Sequence, residues 1–160
     1  MHRFNKYQPM KAEDLRIGNL YESVKWKKSV YCTMEDMFEL VCRADGAEVD
    51  HIEIDTLFKP IPFSDDWKIK FFMERKENPG LGVFWYYQIF LDHYTAGGLC
   101  TQMKFSISEG TNKLFVNNSF IRTIDYVHEF QNIVHAITDS EAKYDLDKEE
   151  YKAPIDDLPF

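Results

Sequence analysis

Val83-Phe84-Trp85-Tyr86-Tyr87-Gln88-Ile89-Phe90-Leu91 is the stretch on which the fold turns. It is apolar at both odd and even positions, the mark of a central strand covered on two sides. Met103-Lys104-Phe105-Ser106-Ile107-Ser108 follows, alternating apolar with polar as a half-covered strand does. Glu109-Gly110-Thr111-Asn112 then turns the chain into Leu114-Phe115-Val116, a hairpin signal. Thr95-Ala96-Gly97-Gly98 supplies the earlier turn. The region from Gly82 is therefore expected to be an antiparallel sheet.

Upstream, Lys59-Pro60-Ile61-Pro62-Phe63 forces an extended connector, because each proline fixes its own φ and restricts its predecessor. Ser64-Asp65-Asp66-Trp67 starts a short helix, with Ser64 as cap and two acids at its positive end. Trp67 and Phe71 lie four apart on one face, and the helix should end before Asn78-Pro79-Gly80. Residues 15–58 read as short strands: Leu20–Val24, Val30–Met34, Phe38–Cys42 and Val49–Ile54, with Ala44-Asp45-Gly46 as a turn. That spacing suggests a small β barrel or a bent sheet.

Downstream, Asp125 to Thr138 is an amphipathic helix. Val127, Phe130, Val134 and Ile137 recur on one face, and Thr123 or Asp125 is placed to cap it. The fold class expected is α+β: an N-terminal small barrel or bent sheet, a short helix, then an antiparallel sheet packed by a C-terminal helix. The divisions read as a flexible arm (1–9), a small β subdomain (10–63), the helix–sheet–helix region (64–138) and an acidic tail (139–160).

The chain has 160 residues, with 44% hydrophobic, 16% aromatic and 29% charged. That is globular composition with enough aromatic surface for a core. No run of 18 apolar residues occurs, so no membrane span is expected, and the first residues lack the apolar run of a secretory signal. Cys32, Cys42 and Cys100 form no C-x-x-C pair, which fits a reducing cytoplasm. Net charge is −8, of which residues 139–160 hold eight acids and three lysines (−5), leaving −3 for residues 1–138. Neither part offers the basic footprint of a nucleic-acid binder. The tail either solubilises the chain or imitates phosphates before a basic partner.

The chemistry-bearing candidates are few. On the last helix His128, Gln131, Asn132 and His135 line the side opposite the apolar face. Imidazoles and amides there, in place of Lys and Glu, suit a protein or nucleotide contact; the alternative is packing against the β region. His128 and His135 are seven apart, about 10 Å along a helix. They cannot share one ion, and no metal site is expected. The aromatic strand brings Trp85 and Tyr87 in as binding candidates, with core or protein interface preferred over base stacking because no positive groove accompanies them. The cysteines read as small buried hydrophobes within strands. Asp92-His93 would face opposite ways on a strand. No Gly-rich phosphate loop and no cofactor motif is present.

Three stretches taken together resemble an uncharacterised family of small proteins from Bacteroidetes phages, prophages and mobile elements. Lys11-Ala12-Glu13-Asp14-Leu15-Arg16-Ile17-Gly18-Asn19 is similar to its opening, often preceded by the starting methionine, here Met10. Pro60-Ile61-Pro62-Phe63-Ser64-Asp65-Asp66-Trp67 is similar to its P-I-P-L-T-x-x-W segment, and Tyr126-Val127-His128-Glu129-Phe130-Gln131-Asn132 to its Y-V-H-x-L-Q-N segment. The family has glycine soon after the tryptophan helix, where this chain has Phe72, and after the final threonine, where it has Asp139. Helix endings are therefore expected to differ. The resemblance implies a setting, a phage protein acting in the bacterial host cytoplasm, rather than a chemistry. The function expected is non-catalytic binding of a protein or small ligand by an accessory or host-defence-modulating factor. The alternatives are a self-associating virion or assembly component, and a nucleotide-directed hydrolase with His93, His128 or His135 as base.

Overall fold

The structure, a computed structural model, describes residues 15–44, 51–91 and 101–148. The arm at 1–9, the turns at 45–46 and 95–98, and Asp92, His93 and Cys100 lie outside the described residues. The chain is α+β; among the described residues there are two antiparallel sheets of three and five strands, neither closed into a barrel. It divides into two units: Met1–Phe63 with Ile124–Glu141, and Ser64–Thr123 with Ala142–Phe160.

In the first unit β1 (Leu20–Ser23) is flanked by β2 (Ser29–Tyr31) and β3 (Phe58–Lys59). Leu20 pairs with Tyr31, and Ser23 with Phe58. Between β2 and β3, where strands were expected at 38–42 and 49–54, the described residues are helical: α1 (Met34–Ala44) and α2 (His51–Leu57). Thr33 explains the first. Its Oγ1 accepts the Asp36 amide at 3.2 Å. Asp36 Oδ2 in turn accepts the amide and hydroxyl of Thr33 at 2.8 and 2.7 Å. This reciprocal cap closes the first turn and commits the following residues to helix. Leu15, Tyr21, Cys32, Ile54 and Phe58 form the adjoining core.

The connector is extended, as its prolines require. Ile61 O accepts the Val127 amide and Asp125 O accepts the Phe63 amide, each at 2.9 Å, and Pro62 bridges Tyr126. The last helix, α4 (Val127–Thr138), thus begins beside this connector, with Phe63 and Phe130 stacked at 5.4 Å. Neither Thr123 nor Asp125 caps it. Tyr126 is the N-cap residue, and Glu129 Oε2 accepts the amides of Tyr126 (3.1 Å) and Asp125 (2.8 Å). The helix packs on β1 of the smaller sheet.

In the second unit α3 (Asp65–Lys70) precedes a meander of β4 (Glu74–Asn78), β5 (Gly82–Leu91), β6 (Thr101–Ser108), β7 (Lys113–Val116) and β8 (Ser119–Thr123) in that spatial order. Trp85 pairs with Ile107 and Tyr87 with Phe105, and all four are buried. Lys68 is buried beside this face, bonded to Asp65 at 2.8 Å. Residues beyond α4 continue onto the unit: Asp145 N–H donates to Lys70 O at 2.9 Å, and Tyr144 meets Phe71 edge-on. Ser64 is the α3 N-cap residue without a side-chain bond to the helix.

Both helices that were expected to end differently end as glycine would end them. Phe72, just past α3, has φ +58°, and Asp139, capping α4, has φ +52°. A bulky residue in the left-handed region stores strain that Asp largely avoids.

Candidate functional site

Of the polar stripe of α4, His128 and Gln131 are buried, Asn132 is partly buried and His135 is more than a third exposed. His128 is 2% exposed, its ring 5.4 Å from Tyr21 and stacked on Tyr126 at 5.7 Å. Gln131 is buried, and its Oε1 accepts the Leu20 amide of β1 at 2.8 Å. Asn132 Oδ1 accepts from Asn19 Nδ2 at 2.6 Å and from Arg16 Nε at 3.1 Å. His135 Nε2 lies 3.9 Å from Glu141 Oε1, and the Arg16 guanidinium grips both oxygens of that carboxylate at 2.6 and 2.9 Å. The structure thus brings His128, Gln131, Asn132 and His135 together as a seam between α4, β1 and the stretch before β1. Burial pushes the Tyr21 phenol up to about 12, and Arg16 holds the Glu141 carboxyl below its usual range. Enclosed by rings, His128 offers a substrate no approach.

Trp85 and Tyr87 are each 5% exposed, in the core of the five-stranded sheet. Tyr87 Oη accepts the Lys143 amide at 2.9 Å. Strand alternation sends their neighbours the other way. Phe84 neighbours Tyr86 at 6.3 Å and Phe115 at 6.2 Å, and Phe115 reaches Phe120 at 5.6 Å. Lys104 Nζ stands 4.5 Å over the Tyr86 ring. This row of rings explains why β5 reads as apolar on both sides.

The cysteines are not on strands where the structure describes them. Cys32 follows β2 and Cys42 falls within α1. Burial pushes the Cys32 thiol up to about 11, so it stays protonated and is a poor nucleophile near neutrality.

Sequence reasoning left the β1–β2 turn unassigned, and there the first unit has a cavity of about 350 Å³. Lys25, Trp26, Val30, Tyr31, Asp36, Glu39, Leu57 and Phe58 are among its lining residues. The turn is held by Ser23, whose Oγ accepts the Trp26 amide (3.2 Å) and whose carbonyl accepts the Lys27 amide (2.8 Å). Val24 N–H donates to Leu57 O at 3.0 Å and ties the turn to the end of α2. Trp26 is 63% and Tyr31 52% exposed, and Lys25 Nζ sits 4.8 Å over the Trp26 ring. Exposed rings of this size beside a concavity are an uncommon use of surface. The signal legible in the sequence was the run Lys25-Trp26-Lys27-Lys28.

The described lining provides hydroxyls from Ser23, Tyr31, Thr33 and Thr56, the carboxylates of Asp36 and Glu39, and the Lys25 ammonium. No protein-family model matches the chain, and no curated protein or solved structure is significantly similar to it. Among the described residues no helix is long and apolar enough to cross a membrane.

Proposed function

We propose that this chain is a non-catalytic binding protein of phage or mobile-element origin, an accessory or host-modulating factor acting in the bacterial cytoplasm, and that its contact site is the Trp26 cavity. The observation that carries the reading is a concavity of about 350 Å³ flanked by two half-exposed or more exposed rings, Trp26 and Tyr31. Pockets that bind small molecules combine an apolar floor with a few placed polar groups, and this one has Leu57 and Phe58 with Thr33, Asp36 and Glu39. Gln131 and Asn132 are bonded to Leu20 and Asn19 and His128 is buried, whereas His135 is more than a third exposed; the reading places the contact at the turn instead. Native mass spectrometry of the protein purified from a related host tests the reading. A bound mass retained by the wild type and lost in Trp26→Ala supports it; a bound mass unchanged in Trp26→Ala overturns the assignment to this cavity.

A second reading, a self-associating assembly component, draws on β8. All five of its residues are exposed, Phe120 and Ile121 included, and it is a sheet edge. The opposite edge, β4, carries Glu74, Arg75, Lys76 and Glu77, charges that discourage strand addition. Concentration-dependent light scattering, abolished by Ile121→Lys, would support this reading; a monomer at every concentration removes it.

A further inference from the structure

We propose that the β1–β2 turn and the cavity beside it bind a single phosphorylated nucleotide, an inference that rests on the cavity being the contact site. Three lysines, Lys25, Lys27 and Lys28, surround Trp26 within four residues. The turn gathers three ammonium groups on a chain of net charge −8, and Lys25 is the one of the three that lines the cavity, together with Asp36 and Glu39. Ammonium groups joined to exposed rings select a ligand that is both anionic and planar. A nucleotide has that pair of features: its base stacks on an aromatic side chain and its phosphate meets ammonium groups.

The remaining lining fits the same ligand. Asp36 and Glu39 face a cavity that also contains Trp26 and Tyr31. Carboxylates accept hydrogen bonds from the exocyclic amino groups of bases. Asp36 is held in place by the amide and hydroxyl of Thr33, at 2.8 and 2.7 Å, so this acceptor is fixed in direction before any ligand arrives. Val30, Leu57 and Phe58 supply the apolar contact. The volume, about 350 Å³, lies at the small end of ligand pockets and matches one nucleotide.

Two other anionic partners fit less well. A bilayer is flat where this site is concave. A long nucleic-acid strand needs a cationic track beyond its first phosphates, and an acidic body repels it.

The experiment uses the full chain and follows tryptophan fluorescence. Trp67 and Trp85 are buried, so quenching reports chiefly on Trp26. The probes are nucleoside mono- and triphosphates, the parent nucleosides, single-stranded homopolymers, and phosphatidylcholine–phosphatidylserine vesicles. Saturable quenching by a mononucleotide is expected. Loss of the phosphate, the triple change Lys25→Gln, Lys27→Gln and Lys28→Gln, or Trp26→Ala read by calorimetry should each weaken binding at least about tenfold, or about 1.4 kcal/mol. Circular dichroism of each variant establishes that it folds. Asp36→Asn disturbs the α1 cap, so Glu39→Gln, its fold checked by circular dichroism, is the variant that tests base preference. A homopolymer preferred over its mononucleotide overturns the proposal in favour of a strand, and vesicle binding without nucleotide binding overturns it in favour of a membrane. A retained non-nucleotide mass lost in Trp26→Ala overturns the nucleotide alone and leaves the contact site standing. Nucleotide binding unchanged in Trp26→Ala overturns both.

Discussion

Arg16 and Glu141 are 125 positions apart and meet as a two-pronged ion pair, Nη1 to Oε1 at 2.6 Å and Nη2 to Oε2 at 2.9 Å. The same guanidinium donates to Asn19 Oδ1 at 2.7 Å and to Asn132 Oδ1 at 3.1 Å. One side chain therefore gathers the stretch before β1, helix α4 and the residue two beyond its cap.

The pair should make stability sensitive to acid. Arg16 depresses the folded-state value of Glu141, so its contribution is present above the ordinary glutamate range and is lost as pH falls through the depressed value. Glu141 is half exposed, and screening limits the pair to about 0.5–1 kcal/mol. Urea unfolding of Glu141→Gln at neutral pH should show that deficit against wild type, and the two curves should converge below about pH 4. A deficit that persists at low pH would assign it to packing.

Gln131 matters more than its exposed counterparts would. Replacing it with Leu leaves the Leu20 amide buried without its acceptor. The expected loss is about 1–3 kcal/mol, with faster hydrogen exchange at Leu20. Unchanged stability with unchanged exchange would mean that another group takes the amide.

Phe72→Gly should stabilise the protein, although it removes a large side chain. The left-handed backbone costs an L-residue about 1–2 kcal/mol, and the Phe72 ring is half exposed, with Lys148 Nζ 4.3 Å over it. Asp139→Gly should gain less, about 0.5 kcal/mol, because Asp tolerates that region. A higher melting temperature for both, with the greater rise for Phe72→Gly, is the expected result; a fall for Phe72→Gly would show that the ring, not the backbone, dominates there.

Alkali should unfold the first unit. Burial raises Cys32 from 9.0 to about 11 and Tyr21 from 10.0 to about 12. Both acids hold their protons longer folded than unfolded, so their contribution is whole below the unfolded values and falls as pH rises through the folded ones. Stability should decline above about pH 9, and Cys32→Ala should remove part of that slope. In a Cys42→Ser, Cys100→Ser background, Cys32 should resist alkylation until the protein unfolds.

The α+β class was legible because β6 and the hairpin into β7 alternate clearly and α4 has a helical period. The region from Thr33 to Leu57 was not, since short apolar runs such as Phe38–Cys42 fit a strand or a helix equally well. Thr33 and Asp36, at capping-box spacing, carried the deciding signal. The α4 stripe was visible as a set, but its burial depends on Asn19 and Arg16, over a hundred residues away. The lysines around Trp26 were visible too, whereas their cavity exists only once Leu57 and Phe58 are brought beside the turn.

Synthesis on the ribosome proceeds from the first residue, and here that order has a cost. Strand β1 leaves the exit tunnel long before α4, yet Gln131 and Asn132 are what occupy the Leu20 amide and the Asn19 carboxamide. A nascent chain stopped near residue 123 would present an unfinished sheet with its seam open, a target for chaperones and proteases. Completion of the first unit is thereby tied to the synthesis of α4, so chains that stop before it are exposed to removal rather than left half-folded.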